Sequence, residues 1–177
     1  PPGLDDRGEI SLRALVKLVL AMRPDRIVVG EVRGAEAFEL TRAANAGCGF
    51  CCTVHANSAR DALNAIVNAA LMAGENVTEQ IVRKVFAATV DFVVHLDRDT
   101  VVAAGEGMRR QTMEILAVAP ALTDDFTTEP IFVREALGKP LVWTGQLPSP
   151  AVVDRIEAAI GNQFSLRALC EGSVTAL

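Results

Sequence analysis

Residues 26–34 read RIVVGEVRG, and residues 48–57 read CGFCCTVHAN. Ile27, Val28 and Val29 form a short β-branched run with no polar alternation. That is the pattern of a strand buried on both faces in a parallel sheet. Residues 48–55 make a second short apolar strand. Between the two, residues 35–46 suit a helix, opened by Gly34 and stopped by Gly47, because glycine takes the left-handed conformation that closes a helix.

Working outward, ISLRALVKLVLAM (10–22) places Leu12, Leu15, Val16, Val19 and Met22 at the i, i+3, i+4, i+7 spacing of a helix. Arg23-Pro24 ends it, since the residue before proline avoids helical angles. Ser58 caps a further helix, with Asp61 three residues on and Gly74 as its stop. Thr78 opens another, to about residue 88, and VDFVVHLD (90–97) is a third strand. Strands alternating with helices imply a parallel α/β sheet. Beyond Asp97 the pattern changes. RRQTMEILAVAP (109–120) and PIFVREA (130–136) alternate, with the polar ALTDDFTTE (121–129) between them. They are expected as antiparallel strands at the sheet edge. A proline-rich stretch, 141–150, precedes two short helices at 151–160 and 165–170. The expected organisation is an α/β core over 1–97, an antiparallel β extension over 98–145 and a short helical tail over 146–177.

The 177 residues are enough for one ordinary domain with a core, or a domain with an appendage. Half are apolar, which argues for folding rather than disorder. The net charge is −5 and the lysines are three, Lys17, Lys84 and Lys139, so nucleic-acid binding, which depends on clustered positive charge, is not expected. There is no apolar run of 18 residues and no signal-peptide pattern. The default is a cytosolic protein with reduced thiols. The first residue is Pro1, which suggests a processed product or a piece of something longer.

Cys48, Cys51, Cys52 and His55 spell C-x-x-C-C-x-x-H, which invites a metal reading. A strand sends alternate side chains to opposite faces. Cys48 and Cys52 would share one face, and Cys51, Thr53 and His55 the other. Ligands divided in this way cannot surround one zinc ion, and free cysteine is a common buried small hydrophobe. No directly ligated metal is expected.

A second arrangement is more informative. Glu31 follows the first apolar strand across Gly30, and His55 ends the next. Ligands of open parallel sheets bind outside the carboxyl ends of the strands, so both side chains are expected at one rim. A carboxylate directly after a buried apolar strand is the pattern of a Walker B element, where it holds Mg²⁺ through water or orients the attacking water.

With these residues in view, LRALVKLVLAMRPDRIVVGEVRGAEAFELTRAANAG (12–47) resembles the acidic-box end and Walker B segment of the type II/IV secretion ATPase superfamily. TVHANSARDALNAIVNAALMAG (53–74) resembles its His box. MRPDRIVVGEVRG and TVHANS are most similar to the CpaF/TadA-like branch. The similarity covers about residues 1–100 and fades after 120. It implies the C-terminal part of a RecA-like P-loop NTPase core, from a hexameric ATPase driving secretion or pilus assembly. Such motors work at the cytoplasmic face of the inner membrane beside a membrane platform protein. ATP and Mg are the implied cofactors. Glu31 would be the catalytic glutamate, and His55 the histidine that senses the γ-phosphate or couples it to subunit movement. Arg23 and Arg33 are candidates for contact with phosphate or a neighbouring subunit, the alternative being ion pairs with nearby acids. Thr53 and Asn57 are candidates for positioning His55, and Asn57 also suits the turn before Ser58.

The family cradles phosphate with G-x-x-x-x-G-K-[ST], and this sequence has none; Gly138-Lys139 is followed by Pro140. A chain without the strand leading into that loop has a gap in its sheet. The gap is expected to close by direct pairing of the 48–55 and 90–97 strands, or by a strand from another chain. The 177 residues alone are expected neither to bind ATP tightly nor to hydrolyse it. The competing function is a non-enzymatic interaction or regulatory subunit.

Overall fold

The computed structural model describes residues 10–98, 110–122 and 125–172. Its elements, in chain order, are α1 (Leu12–Ala21), β1 (Arg26–Val29), α2 (Glu36–Asn45), β2 (Gly49–Cys52), α3 (Ala59–Leu71), α4 (Glu79–Thr89), β3 (Phe92–Arg98), β4 (Arg110–Leu122), β5 (Phe126–Val133), β6 (Val142–Trp143), α5 (Pro150–Ala159) and α6 (Leu166–Cys170). Two compact units result. The first runs to Thr89 except for residues 57–61, and the second takes those five residues and the chain from Val90 onward. The front of the acidic-box stretch, residues 1–9, lies outside the described residues.

In the first unit β1 and β2 are parallel, with Arg26 opposite Gly49 and Val29 opposite Cys52. The crossover between them is α2, as a parallel pair requires. Gly47, at φ 78°, makes the left-handed turn that ends it. Ile27 and Val29 are buried, but Val28 is 79% exposed. The strand therefore has one buried face, not the two expected from its composition. On the buried side Phe50 meets Phe86 of α4 edge-on, with ring centroids 6.3 Å apart at 72°. Phe86 is fully buried, which contributes roughly 1.5–3 kcal/mol by removing its ring from water.

α1 starts at Ser11, whose hydroxyl accepts from the Ala14 amide at 3.2 Å. It ends where Arg23 takes a positive φ of 53° ahead of Pro24. The expected apolar stripe is only partly used. Val16 is its buried residue, whereas Leu12, Leu15 and Met22 are exposed. Charge anchors the helix instead. Glu39 of α2 is fully buried, and its carboxylate receives Arg13 Nε at 2.8 Å, Lys17 Nζ at 3.5 Å and Arg42 Nε at 3.6 Å. Arg13 also pairs with Glu75. A buried carboxylate is tolerated only with such partners, so α1 is held to α2 by the cations it carries.

The second unit is built on an antiparallel sheet of order β3-β4-β5-β6. The expected antiparallel strands are present as β4 and β5, but they pair with β3 and β6 in a sheet of their own rather than at the edge of the parallel one, and their pairing extends to Leu122 opposite Phe126, into the stretch expected as a turn. Pro130 lies within β5, beside a register shift between Ile115 and Leu116, the kind of irregularity where a strand accepts a residue without an amide hydrogen. α5 and α6 stand close to where two short helices were expected, at 151–160 and 165–170. Pro150 opens α5, and the Ser165 hydroxyl caps α6 by accepting from the Ala168 amide at 3.2 Å.

Two expectations are corrected here. β3 is not a third parallel strand: it pairs antiparallel with β4, Phe92 opposite Ala117 through Arg98 opposite Arg110. The chain returns directly after β3, so a local hairpin takes up its hydrogen-bonding edge. Nor does β2 pair with β3; in the described sheets β2 joins β1 and β3 joins β4. The fold is mixed α/β, with a small parallel sheet, an antiparallel sheet and helices.

Candidate active site

The parallel pairing of β1 and β2 brings their carboxyl ends together. The pairing ends with Val29 opposite Cys52, and hydrogen bonds made by Thr53 carry the contact into the loop that follows β1. The Thr53 hydroxyl donates to the Gly30 carbonyl at 2.5 Å, and the Val32 amide donates to the Thr53 carbonyl at 2.8 Å. Thr53 thus pins the first loop on both sides of Glu31. Val32 is buried and acts as an apolar anchor, so Glu31 and Arg33 project the other way.

Two groups converge on the Glu31 carboxylate. His55 Nε2 lies 2.7 Å from Oε1, and Arg33 Nη2 lies 2.7 Å from Oε2. Oε1 is itself buried, and its contact with His55 has ion-pair distance without the alignment of a hydrogen bond. Side-chain exposure is 30% for Glu31, 74% for Arg33 and 88% for His55, so the carboxylate is partly shielded while both of its partners face solvent. The Arg33 guanidinium holds the Glu31 carboxyl below the usual carboxylate range, outweighing the opposing effect of burial, and the His55 imidazole adds to the lowering. In return Glu31 raises the Arg33 guanidinium. The site offers an ionised carboxylate, an imidazole and a fixed cation at one rim. That set can orient water, pass a proton or meet an anion.

The six residues singled out from the sequence fall into two groups. Glu31, Arg33, Thr53 and His55 come together. Thr53 acts through Gly30 and Val32 and makes no hydrogen bond to His55. His55 stands three residues past the end of β2, in the loop rather than in the strand. Arg23 lies before the amino end of β1, the opposite end of that strand from Glu31, with no ion pair among the described residues. Asn57 is exposed in the bend ahead of α3 and belongs to the second unit. The sequence reading missed the tie between Gly30 and Thr53; a fixed parallel register would have exposed it.

Around the cysteines, Cys48 is buried, Cys51 exposed and Cys52 intermediate. Burial pushes the Cys52 thiol up to about 11, with Cys51 adding to the effect. Among the described residues, no group of three or more His, Cys, Asp or Glu side chains is placed to hold a metal ion. No helix among them is long and apolar enough to cross a membrane.

The conjugal transfer protein TrbB of Rhizobium radiobacter is 31% identical over 121 residues, 68% of this chain and 34% of that protein. A Mycobacterium tuberculosis protein with a provisional conjugal-transfer name is 39% identical over 115 residues, 64% of this chain and 30% of that protein. The crystal structure of the VirB11 ATPase from the Brucella suis type IV secretion system, in complex with sulphate, superimposes with a TM-score of 0.52 at 24% identity. The match covers 65% of this chain and 36% of that one. It supports a partial RecA-like core as the fold. The chain spans about a third of the length of each of these relatives. The family model described as "Type II/IV secretion system protein" matches residues 3–120, two-thirds of the sequence, and the chain belongs to that family.

Proposed function

We propose that this chain is the Walker B and His-box portion of a motor ATPase, coupling ATP hydrolysis to type II/IV secretion or Tad-type pilus assembly. One observation carries the reading: Glu31, Arg33 and His55 meet at the carboxyl rim of a parallel strand pair, where ligands of open α/β sheets bind. In this reading Glu31 orients the attacking water, His55 couples the state of the terminal phosphate to movement, and Arg33 contributes a phosphate-matching cation. Glu31 would be the residue to hold Mg, through water. ATP, when bound, supplies the transferable phosphoryl group.

The residues present fit that group in part. A water-orienting carboxylate and a guanidinium are in place. The phosphate-cradling motif G-x-x-x-x-G-K-[ST] does not occur in the 177 residues, so these residues alone are expected not to turn over ATP. The longer motor is proposed to be a hexamer at the cytoplasmic face of the inner membrane, working against a membrane platform protein. The missing motif also favours a second reading, a non-enzymatic interaction or regulatory subunit.

The test is steady-state ATP hydrolysis by a longer protein carrying this chain and a phosphate-cradling loop, with nucleotide binding measured separately. Glu31→Gln is expected to lower kcat by about 10²-fold or more, in line with the loss of a general base, and to leave binding intact. Undiminished turnover removes the role given to Glu31. Binding or turnover absent from the unmutated longer protein supports the non-enzymatic reading.

A further inference from the structure

α2 begins without a side-chain cap. Ala35 occupies the cap position and makes no side-chain cap hydrogen bond. Glu36, the first residue of the helix, folds its carboxylate back over the preceding turn instead. Oε1 accepts from the Arg33 amide at 2.6 Å and from the Gly34 amide at 3.0 Å. We propose that Glu36 is a positioning residue of the site: its carboxylate fixes the Arg33–Gly34 backbone so that the Arg33 guanidinium is delivered to Glu31.

The geometry supports this from both sides. Thr53 holds Gly30 and Val32, on either side of Glu31, and Glu36 holds the next two amides. Five consecutive residues, 30–34, are therefore tied at four points, with Glu31 and Arg33 as the side chains left to face each other. Hydrogen bonds from amides to a carboxylate are charge-assisted and stronger than neutral ones. Burial pushes the Glu36 carboxyl up, but the amides of Arg33 and Gly34, together with its own, hold it below the usual carboxylate range. A glutamate in a first turn also favours its helix through the macrodipole. That purely structural role would leave Glu31 unaffected, so the two roles are separable.

The consequence for turnover rests on the function proposed for Glu31, but the clamp itself can be read on the 177-residue chain without nucleotide. Carbon-detected NMR follows the Glu31 and Glu36 carboxyl titrations, and hydrogen exchange follows the Arg33 and Gly34 amides. Glu36→Ala is expected to speed exchange at both amides by about tenfold or more, as the loss of bonds to a charged acceptor implies. It is also expected to move the Glu31 midpoint upward, toward the ordinary carboxylate value. Glu36→Gln keeps an acceptor oxygen and is expected to restore most of both effects. In the unmutated chain, the Arg33 and Gly34 amide shifts are expected to titrate together with Glu36; this arm needs no variant to fold. An unmoved Glu31 midpoint in Glu36→Ala, or Gln behaving like Ala, overturns the positioning role, as do amide shifts that ignore the Glu36 titration. In the longer protein Glu36→Ala should lower kcat more than it changes KM. If Glu31→Gln leaves turnover intact while the titrations behave as stated, the clamp stands and the function assigned to Glu31 falls.

Discussion

Glu31 has two carboxylate oxygens, and each has a partner: His55 at Oε1 and Arg33 at Oε2. Its carboxyl is held below the ordinary range, chiefly by Arg33. A group with a depressed folded-state value stabilises the fold above its unfolded value, about 4.3 for glutamate. That contribution is lost as pH falls through the lower folded value. Urea unfolding of the unmutated chain and of Glu31→Gln should therefore differ most near neutral pH, and the difference should vanish in acid. A difference that grows in acid would contradict the pairing. The cysteines give a second check at this scale. Cys52, with its thiol raised to about 11 by burial, should be alkylated by iodoacetamide at neutral pH more slowly than exposed Cys51; mass spectrometry of the time course reads the order. The meeting of Glu31 and His55 was legible in the sequence because both follow short apolar strands. The ties made by Thr53 and Glu36 were not, because they depend on strand register and on a side chain folding back across its own helix start.

At the scale of elements, the best-read segments are those with local punctuation. Ser58 accepts from the Asp61 amide at 3.0 Å as its cap role requires, and Gly47 and Gly74 take positive φ where the helices were expected to stop. Ser58→Ala should cost about 1 kcal/mol in unfolding free energy. α4 shows what burial adds: Val82 and Phe86 are fully enclosed, and Phe86→Ala should cost about 3–5 kcal/mol. Denaturant unfolding measures both, and a negligible loss for Phe86→Ala would mean that the β2–α4 packing is wrong. β3 was misread for a physical reason. VDFVVHLD has the apolar content of a central parallel strand, but strand pairing is a non-local choice, and composition cannot say which neighbour takes the edge. Val28 failed in the same way, since a β-branched run specifies a strand without specifying what covers its two faces.

For the whole molecule, the family match and the RecA-like likeness reach residues 3–120 and 65% of the chain, respectively. The exposed apolar side chains Val28, Val94 and Leu96 lie in β1 and β3, strands with a partner on only one side in the described sheets. The function proposed for the whole rests on a much smaller feature, the meeting of positions 31 and 55 at the carboxyl ends of two parallel strands. The most direct test is a nuclear Overhauser experiment on the nucleotide-free chain. The two histidines, His55 and His95, are separated by assigning the ring signals with a His95→Gln variant. The account predicts cross-peaks between the His55 ring protons and the Glu31 side-chain methylenes, retained in that variant. A His55 ring that shows contacts to another element and none to Glu31 would contradict it.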